Sequence, residues 1–572
     1  MGCENMKLKK IIEIILIMLM FYFMSFISLS NISPYLSLIL IIILYQYTKN
    51  FKNNNRITII SLIFSLMFTI GNLDINKFNF NELIILIIEY LGWYYILRRL
   101  FYIIEKNYHK INLDSQNKEI SMKKFISISM IIGFLFYLPY LLKLYPGVVS
   151  YDSYEQLSQI VGNLSYSNHH PVLHTLIIKL FYDLGNLLTG NSNIGLLLYT
   201  IFQMVVACFT FSFTTYTLYK NNINKYVVVF IWLFFFITPY NAIYSVTIWK
   251  DILFSYIVLL TTILLWNHYH NKLEWNNKNK VIFIFLSILI CLLRSNGFYA
   301  YIIFVILFYL LYKKEFQKIF IPIIISLFVV VIFKYPVLSL LKVKQPDFVE
   351  SISIPLQQVG YVIRKDGNIT DEELNLISKI ADIEKIKNDV THFHISNPIK
   401  DNIRDHDINH YLESHKLDYL KLWINLGIKN IKLYKDAYVL QTSGYYYHNY
   451  GRYWVYLKDF QNDGYAGKLD IERHELLPEI YSRFIDLKLE INDFIHYNFG
   501  SLAISLYLIL VSLFITINKK GNILIYIIPL SIFITLLIAT PVACEFRYVY
   551  SLYLTAPVFL IMSLKRGEVN EK

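Results

Sequence analysis

A polar stretch between two hydrophobic segments holds the residues of this sequence best suited to chemistry. The segment Leu144–Asp183 places Asp152 and Glu155 three residues apart and then brings two adjacent histidines, His169 and His170. If Asp152 opens a helix, the two carboxylates share one helix face. A carboxylate there is suited to deprotonating a hydroxyl group or to binding a metal. The pattern also fits a helix N-cap on a solvated surface helix, because Asp and Ser commonly cap helices.

The adjacent histidines have three uses that the sequence leaves open. His174 follows His170 by four residues, so a helix would place both rings on one face, where they could hold a metal. Histidines that hydrogen-bond a phosphate, or that orient the loop, fit the same pattern. We expect His169 and His170 to contact phosphate or to orient the loop, with metal binding as the alternative.

Three basic residues lie next to polar turns at the ends of hydrophobic segments. Lys250 is in a Trp-Lys-Asp sequence, Arg294 is in Arg-Ser-Asn-Gly, and Arg547 is in Glu-Phe-Arg-Tyr. Cations at such ends bind phosphate through charge-assisted hydrogen bonds. The alternatives are an ion pair between Lys250 and Asp251, and basic side chains that extend to the membrane interface.

The composition indicates a helical protein that crosses a membrane many times. Of 572 residues, 56% are hydrophobic and 16% are charged, whereas soluble proteins carry about 25% charged residues. Apolar runs of about 15–20 residues recur along the chain, as in transmembrane helices. The net charge of +12 would suit nucleic acid, but the basic residues fall mostly in short loops on one side. We therefore exclude nucleic acid as a partner.

We predict an all-α polytopic membrane protein of about 12–14 spans. Their bounds lie near residues 11–29, 35–47, 57–71, 83–104, 125–143, 194–219, 225–247, 251–267, 280–293, 297–312, 319–334, 500–517, 523–540 and 547–564. Lysine and arginine concentrate in alternate loops, which the positive-inside rule places in the cytoplasm. The loops 144–193 and 334–500 are then extracytoplasmic, and both termini are cytoplasmic. The four cysteines have no paired spacing, so we predict no disulfide framework.

Short motifs in a fixed order give the chain a resemblance to membrane glycosyltransferases. They are YPGVVSYDSYEQ, HHPVLHT, WKD, RSNG, SISIPLQQVG, NPIKD and EFRYVYSLYLTAP. An outer loop with an Asp near its start, two surface helices and basic residues at later outer loops resemble the GT-C superfamily, which includes protein O-mannosyltransferases and aminoarabinose transferases. More closely, the motifs resemble a poorly characterised bacterial family related to that superfamily. The resemblance covers roughly residues 125–565.

The resemblance implies a division of the chain into four regions. Residues 1–124 form an N-terminal addition of about four spans, and residues 125–334 form a GT-C-like transmembrane core with the catalytic loop 144–193. Residues 335–499 form a small, mainly helical extracytoplasmic domain. Residues 500–572 form the C-terminal spans and a cytoplasmic tail.

The resemblance also implies an inverting hexosyltransferase of the bacterial plasma membrane. The implied donor is a polyprenyl-phosphate-linked sugar of the undecaprenyl type, and the implied acceptor is a cell-envelope glycan, protein or lipid. Asp152 would act as base or metal ligand, with Glu155 as a second carboxylate. Lys250, Arg294 and Arg547 would clamp the donor phosphate.

On the acceptor side, the resemblance implies four further residues, Gln357, Gln358, Tyr445 and Tyr446. One departure concerns the acidic pair, because many superfamily members have two adjacent acidic residues in this loop. Here Asp152 is followed by Ser153, and Glu155 is the next acid. Cofactor use therefore stays open between no metal and a divalent Mg or Mn ion, with Asp152 as its ligand.

Functions of other classes stay open. A lipid-linked-oligosaccharide flippase or another transporter would use charges near the membrane midplane, where Glu89 is the main ionisable residue. A surface-polysaccharide polymerase or ligase would share the outer-face site but often uses Arg and His rather than Asp. A catalytically inactive relative would serve as a scaffold.

Overall fold

The computed structural model shows a helical protein over the residues it describes. These are residues 34–49, 51, 54–71, 80–270, 273–389, 391–407, 410–448, 469 and 471–565. Within these ranges the β structure consists of isolated bridges between single residues. The predicted all-α fold class is therefore confirmed for the described residues, and the first predicted span, 11–29, lies outside them.

The helices follow the hydrophobic segments of the sequence closely. The N-terminal region contains α1 (Pro34–Tyr47), α2 (Asn55–Gly71) and α3 (Phe80–Asn107). The next region contains α4 (Met122–Lys143), α5 (Tyr151–Ile160), α6 (Val172–Thr189), α7 (Ser192–Lys220), α8 (Lys225–Ile237), α9 (Pro239–Val246), α10 (Lys250–His270), α11 (Asn277–Leu293), α12 (Ser295–Leu311), α13 (Lys313–Lys318), α14 (Phe320–Ile332) and α15 (Leu338–Leu340). A π-helical turn, Phe333–Val337, joins α14 to α15.

The remaining helices belong to the long outer segment and the C-terminal spans. The outer segment contains a 3₁₀ turn (Phe348–Ile352), α16 (Ser353–Arg364), α17 (Asp371–Ser378), α18 (Ile383–Asn388), α19 (Asn397–His406), α20 (Tyr411–Ser414), α21 (Lys416–Lys429), α22 (Ile431–Thr442) and α23 (Glu479–Phe499). The C-terminal region contains α24 (Ala503–Asn518), α25 (Leu524–Ala539) and α26 (Phe546–Leu564).

Six described helices are long and apolar enough to cross a membrane. They are α4, α6, α7, α10, the continuous stretch Phe320–Leu340 and α26. The pair α8 and α9 counts as a seventh if it forms one span, and α1, α2, α12, α24 and α25 are shorter apolar helices. Every predicted span from 35–47 onward has a helix or bent pair within a few residues of it, so the helical segments are confirmed. How many of the shorter ones cross the membrane stays a prediction.

The helix α6 lies within the loop predicted to be extracytoplasmic, 144–193. It is also one of the six helices long and apolar enough to cross a membrane, so its position relative to the membrane stays a prediction. It packs against the first turns of α7, where Gly185 meets Gly195 so closely that a Cβ on either residue would collide with backbone. Lys179 and Asp183 form an exposed ion pair of 2.7 Å on its outer face.

The bend between α8 and α9 has a clear cause in the sequence. Pro239 occupies the first turn of α9, and the preceding Thr238 is extended, with ψ 123°. Proline lacks an amide hydrogen and disfavours a helical residue before it. The two helices therefore meet at 49°, and α9 leads the chain to the Trp249–Lys250 turn.

Loops predicted to lie on the same side of the membrane contact one another. Among the predicted cytoplasmic loops, Asn54 hydrogen-bonds Glu105 at 2.8 Å and Arg56 hydrogen-bonds Asn518 at 3.1 Å. Among the outer loops, the backbone of Ser396 donates to the carbonyl of Pro541 at 2.9 Å. This grouping agrees with the predicted alternation, while the direction of the chain relative to the cytoplasm stays a prediction.

The described part of the outer segment is mainly helical and has a hydrophobic core of its own. That core includes Leu356, Val362, Ile399 and Leu426, contributed by α16, α19 and α21. The transmembrane helices pack around a separate, larger core. The assignment of residues 335–499 as a domain stays a prediction.

Candidate active site

Asp152 lies at the centre of a buried cluster of charges that four segments of the chain build together. One carboxylate oxygen, Oδ2, accepts hydrogen bonds from Lys250 Nζ at 2.6 Å and from Arg547 at 2.8 Å. The same oxygen lies 3.8 Å from His170 Nδ1. Asp152 is only 6% exposed, so these contacts replace the water that an ionised carboxylate would otherwise need.

A tight turn after α4 carries Asp152 to this position. Gly147 has φ +144°, and a Cβ there would collide with the hydroxyl of Thr200, so glycine is required. The chain then pairs with the end of α9, where the amide of Val148 donates to Val246 at 2.9 Å and the amide of Ile248 returns a bond to Val148 at 3.0 Å. This pairing fixes the spacing between α5 and the Lys250 turn.

The N-cap of α5 is Ser150, so the alternative in which Asp152 caps this helix is wrong. Ser150 and Ser153 form a reciprocal capping box, and Ser153 Oγ also donates to the carbonyl of Ile248 at 2.6 Å. Trp249 Nε1 donates to Ser150 Oγ. The side chain of Asp152 is therefore not needed for capping and points into the charge cluster.

Aromatic side chains surround the guanidinium of Arg547. It lies 4.9 Å from the ring centroid of Trp249 and 5.6 Å from that of Tyr151, and it donates to the Tyr151 hydroxyl at 3.3 Å. Guanidinium groups stack well on such rings. The stacking fixes the plane of Arg547 and aims one nitrogen at Asp152.

The cations control the ionisation of Asp152. Burial alone would raise its pKa, but Arg547, Lys250 and His170 outweigh burial and hold the pKa well below its usual range. Asp152 is therefore ionised at neutral pH and is a weak base for as long as both cations contact it.

Lys250 and Asp251 do not pair with each other, so that alternative is wrong. Lys250 binds Asp152, whereas Asp251 lies 2.9 Å from Arg294 Nε. Consecutive helical residues point about 100° apart, so the first two residues of α10 face different neighbours. Arg294 also donates to the carbonyl of Tyr548 at 3.3 Å.

Two buried carboxylates near Asp152 lack part of their hydrogen bonding. Both oxygens of Asp251 and one oxygen of Glu545 hydrogen-bond no described residue, although each residue is only 1% exposed. Glu545 lies 3.4 Å from Arg547 Nε, close enough for an ion pair but without hydrogen-bond alignment. Burial raises the pKa of Glu545 to about 7 against the opposing charge of Arg547. Unsatisfied buried carboxylates are typical of functional sites.

The predicted histidines lie on the open side of the cluster. His170 Nε2 is 2.9 Å from Glu155, and its Nδ1 is 2.9 Å from Lys250 Nζ. The ring of His169 lies edge-on to that of His170, with centroids 4.6 Å apart. Burial and the neighbouring His170 lower the pKa of His169.

His174 belongs to a different hydrogen-bond network from His170, and its partners among the described residues are different. Its Nδ1 is 2.9 Å from Gln156 and its Nε2 is 2.7 Å from the hydroxyl of Tyr199. Tyr199 donates in turn to Gln203, whose amide donates to three backbone carbonyls in residues 244–247. This buried chain ties α5, α6 and α7 to the segment that leads into Lys250.

The four residues predicted for the acceptor side lie elsewhere. Gln357 and Gln358 are buried within the outer segment, where their amides donate to the carbonyls of His392 and Tyr434 at 3.1 and 3.2 Å. The Tyr446 hydroxyl contacts Thr442 within the same segment. Their role on the acceptor side stays a prediction.

Tyr445 is nearer to the cluster than the other three. Its buried hydroxyl donates to the carbonyl of Val542 at 2.7 Å and accepts from the amide of Glu545 at 3.3 Å. Tyr445 therefore holds the turn that positions Glu545 and Arg547.

A small cavity adjoins Arg294. Asn168, Ser295 and Lys334 line it together with apolar residues. Lys334 lies on the π-helical turn, and its ammonium is 4.5 Å from the ring centroid of Phe298. Lys334 forms no ion pair with a described residue within 4 Å, unlike Lys250, Arg294 and Arg547.

The surroundings of Asp152 do not fit a metal ion bound directly to it. Mg and Mn prefer sites made of several oxygen ligands, whereas the contacts of Asp152 are an ammonium, a guanidinium and an imidazole. A further cation at that oxygen would be repelled by those already there.

Sequence reasoning missed Glu545, Asp251 as the partner of Arg294, and Lys334. Glu545 lies two residues before Arg547 in a motif of interest, and that proximity was the available signal. The pairing of Asp251 depends on how α10 packs against the junction of α11 and α12, which carries Arg294. The burial of Glu545 depends on the packing of α10 against α26, and a sequence shows neither arrangement.

The chain belongs to a family described as "Family of unknown function (DUF6020)", whose model matches residues 161–572. The match begins directly after α5, so it includes Lys250, Arg294 and Arg547 but not Asp152. No curated protein and no solved structure matches the chain.

Proposed function

We propose that this member of the DUF6020 family is an integral membrane glycosyltransferase. It moves a sugar from a polyprenyl-phosphate donor to an extracytoplasmic acceptor, with inversion at the anomeric carbon. The observation that carries the proposal is the contact of Asp152 with both Lys250 and Arg547, which are 98 and 395 residues away in sequence. A carboxylate and several cations in one buried cluster provide a base and a counter-charge for a phosphate leaving group.

The reaction is a single displacement. Asp152 accepts the proton of the acceptor hydroxyl, whose oxygen forms a bond to the anomeric carbon. The bond between that carbon and the phosphate oxygen breaks, and polyprenyl phosphate leaves with the electron pair. The cations neutralise the charge that develops on the leaving oxygen.

Donor binding and base activation are coupled through the shared cations. In the unliganded cluster, Lys250 and Arg547 keep the pKa of Asp152 low. A donor phosphate competes for these two cations, so each contact that it takes weakens their hold on Asp152. The pKa of Asp152 then rises toward the range in which a carboxylate is an effective base.

The cavity beside Arg294 has room for about one water molecule, so it would have to widen to admit a donor phosphate. Lys334 contributes a cation without a carboxylate partner among the described residues, and Arg294 and Ser295 contribute further hydrogen-bond donors. The π-helical turn places Lys334 there, and such turns are frequent at functional sites. The prenyl tail would then follow the apolar surfaces of α12 and α14.

The proposal is tested by comparing cell-envelope glycans in a deletion strain and in strains that carry variants. Mass spectrometry of these glycans should show one sugar lost on deletion, restored by the wild-type gene and not restored by Asp152→Asn. A restored sugar in the Asp152→Asn strain would contradict the role of Asp152 as base.

Glu89→Gln is the matched control, because Glu89 is also a buried carboxylate but lies on α3. We expect normal glycans from Glu89→Gln. A requirement for Glu89 together with tolerance of Asp152→Asn would favour the flippase.

A further inference from the structure

A second group of potential ligands lies beside the charge cluster. Glu155, His169 and His170 each offer one ligand atom, and these three atoms lie within 4.8 Å of one another. Zinc bonds to histidine nitrogen and carboxylate oxygen at about 2.0–2.2 Å, so ligand atoms around a tetrahedral ion are roughly 3.3 Å apart. Glu155 and His170 are already separated by only 2.9 Å, so small side-chain rotations complete this arrangement.

The ring of His169 is available for such a role. Its ring nitrogens hydrogen-bond no described residue, whereas its backbone amide donates to the hydroxyl of Ser167 at 3.2 Å. The ring is partly exposed, and it faces the same space as Glu155. An orienting histidine would be expected to have a fixed partner, as His174 has in Gln156 and Tyr199.

Asp152 is placed to orient His170 as a metal ligand. A histidine that binds a metal through one nitrogen usually donates the hydrogen on its other nitrogen to a carboxylate or a carbonyl. With Nε2 on the ion, the proton of His170 sits on Nδ1, which lies 3.8 Å from Asp152 Oδ2. Lys250 then gives up its contact with Nδ1 and keeps its bond of 2.6 Å to Asp152.

The local charges balance an additional cation at this place. Glu155 supplies one negative charge as a ligand, and Asp152 supplies a second nearby. Glu350 of the outer segment interacts electrostatically with His169 and supplies a third. Lys250 and Arg547 contact the carboxylate of Asp152. Lys250 Nζ also lies 2.9 Å from His170 Nδ1, so this ammonium must turn away from His170 when an ion binds.

We infer that Glu155, His169 and His170 form a binding site for one divalent transition-metal ion of the zinc class. Two imidazoles and one carboxylate favour zinc or a similar ion over Mg and Mn. Three protein ligands leave the fourth tetrahedral position open to water or to a substrate oxygen. This site does not depend on the proposed sugar transfer, because an ion could bind here in a protein with any activity.

The test is a zinc titration of the purified, full-length protein in detergent after treatment with a chelator. We expect one zinc ion per chain, and we expect His169→Ala and Glu155→Gln each to weaken binding at least tenfold. Cobalt should give the visible absorption bands of a tetrahedral ion in the wild type and lose them in His169→Ala. His406→Ala is the matched control, because the ring of this exposed histidine hydrogen-bonds the carbonyl of Ser378, outside the proposed ligand set. This variant should leave zinc binding unchanged.

Two results would overturn the inference. One is the absence of stoichiometric zinc in the wild type, and the other is unchanged binding in both His169→Ala and Glu155→Gln. If His169→Ala does not fold, Glu155→Gln decides the question, because the side chain of Glu155 is 47% exposed. Binding is measured without a sugar donor, so its failure is separate from a failure of the proposed transfer.

Discussion

Asp152 and Glu350 have the same pair of partners, one lysine and one arginine, in two regions of the molecule. The partners of Asp152 come from α10 and α26, which are far from it and from each other in sequence. Both partners of Glu350 come from one helix, α19, in the same outer segment. The Asp152 cluster links helices from distant parts of the chain, whereas the Glu350 cluster links two neighbouring parts of the outer segment.

The surroundings of the two clusters differ more than their central contacts do. Around Glu350, the neighbouring carboxylates have partners, because Arg404 also binds Asp347 and Asp401 at 3.1 and 3.0 Å. Around Asp152, the buried Asp251 and Glu545 keep oxygens that hydrogen-bond no described residue. A carboxylate with two cations is therefore not in itself a sign of an active site. The Asp152 cluster differs in that its neighbouring carboxylates are ion-paired with Arg294 and Arg547 but incompletely hydrogen-bonded.

Removing the charge of the central carboxylate should give the largest difference between the two clusters. Asp152→Asn should reduce transfer by about 10²–10⁴-fold, the usual contribution of a general base. Glu350→Gln should leave transfer per folded molecule near that of the wild type. Its main effect should be a lower melting temperature, because Lys400 is left buried without its carboxylate, at a cost of about 3–5 kcal/mol.

Asp152→Glu separates charge from position in this experiment. It keeps the charge that Lys250 and Arg547 require, so the melting temperature should stay close to that of the wild type while transfer falls. Glycan analysis and thermal melting on the same set of variants provide both readouts. If transfer in both Asp152→Glu and Glu350→Gln falls only as much as stability falls, the two clusters do not differ in function.

The two arginines offer a smaller contrast. Arg547→Lys retains a charge but loses the second hydrogen bond and the stacking on Trp249. A charge-assisted hydrogen bond contributes about 1.5–3 kcal/mol, so transfer should fall roughly ten- to a hundredfold. Arg404→Lys should cost less than about 1 kcal/mol of stability, since this side chain is 35% exposed. A wild-type transfer rate with Arg547→Lys would show that transfer does not need the second hydrogen bond or the stacking of the guanidinium.

A further contrast concerns the dependence of stability on pH. The folded state raises the pKa of Glu545 from 4.5 to about 7, so the native protein binds this proton more tightly than the unfolded chain. The stability that this proton contributes is fully present below the pKa of Glu545 in the unfolded chain. It is lost as pH rises through the pKa of Glu545 in the folded protein, by up to about 1.4 kcal/mol per pH unit. Melting curves should show this decline in the wild type and a shallower one in Glu545→Gln.

Glu350 should behave in the opposite way. Its pKa is lowered to about 2, because Lys400, Arg404 and His169 outweigh the effect of burial. Its stabilisation is present above the unfolded pKa and is lost only as pH falls through the folded value. Glu350→Gln should therefore lower the melting temperature by a similar amount at every pH above about 5. Two results would contradict these assignments. One is a melting temperature of Glu350→Gln that varies with pH, above about pH 5, differently from that of the wild type. The other is a wild-type pH dependence of the melting temperature in Glu545→Gln.

The sequence was sufficient to predict the helical segments and part of the site. Hydrophobic runs determine where helices form in a membrane, because the backbone must satisfy its own hydrogen bonds there. The alternation of basic loops then placed Asp152, Lys250 and Arg547 on one side, and the structure brings these three together. The predicted side of the membrane therefore identified residues that are close in space, although a sequence contains no distances.

The remaining features depend on side-chain geometry that neither pattern contains. The partner of Asp251 is decided by the direction of its side chain on the first turn of α10, and the burial of Glu545 is decided by a turn held by Tyr445. The carboxamides of Gln357 and Gln358 looked equally suitable for binding, but their NH₂ groups donate to backbone carbonyls inside the outer segment. A polar motif indicates chemistry or packing equally well until its neighbours are known.

The central claim is that the Asp152 cluster transfers a sugar from a lipid phosphate. The most direct measurement uses a polyprenyl-phosphate hexose with a radiolabelled sugar, incubated with purified protein and envelope membranes from the deletion strain. We predict that the wild type releases polyprenyl phosphate and moves the label to an envelope acceptor with an inverted anomeric linkage, and that Asp152→Asn does neither. Transfer at the wild-type rate by Asp152→Asn, or no consumption of any such donor by the wild type, would contradict the account.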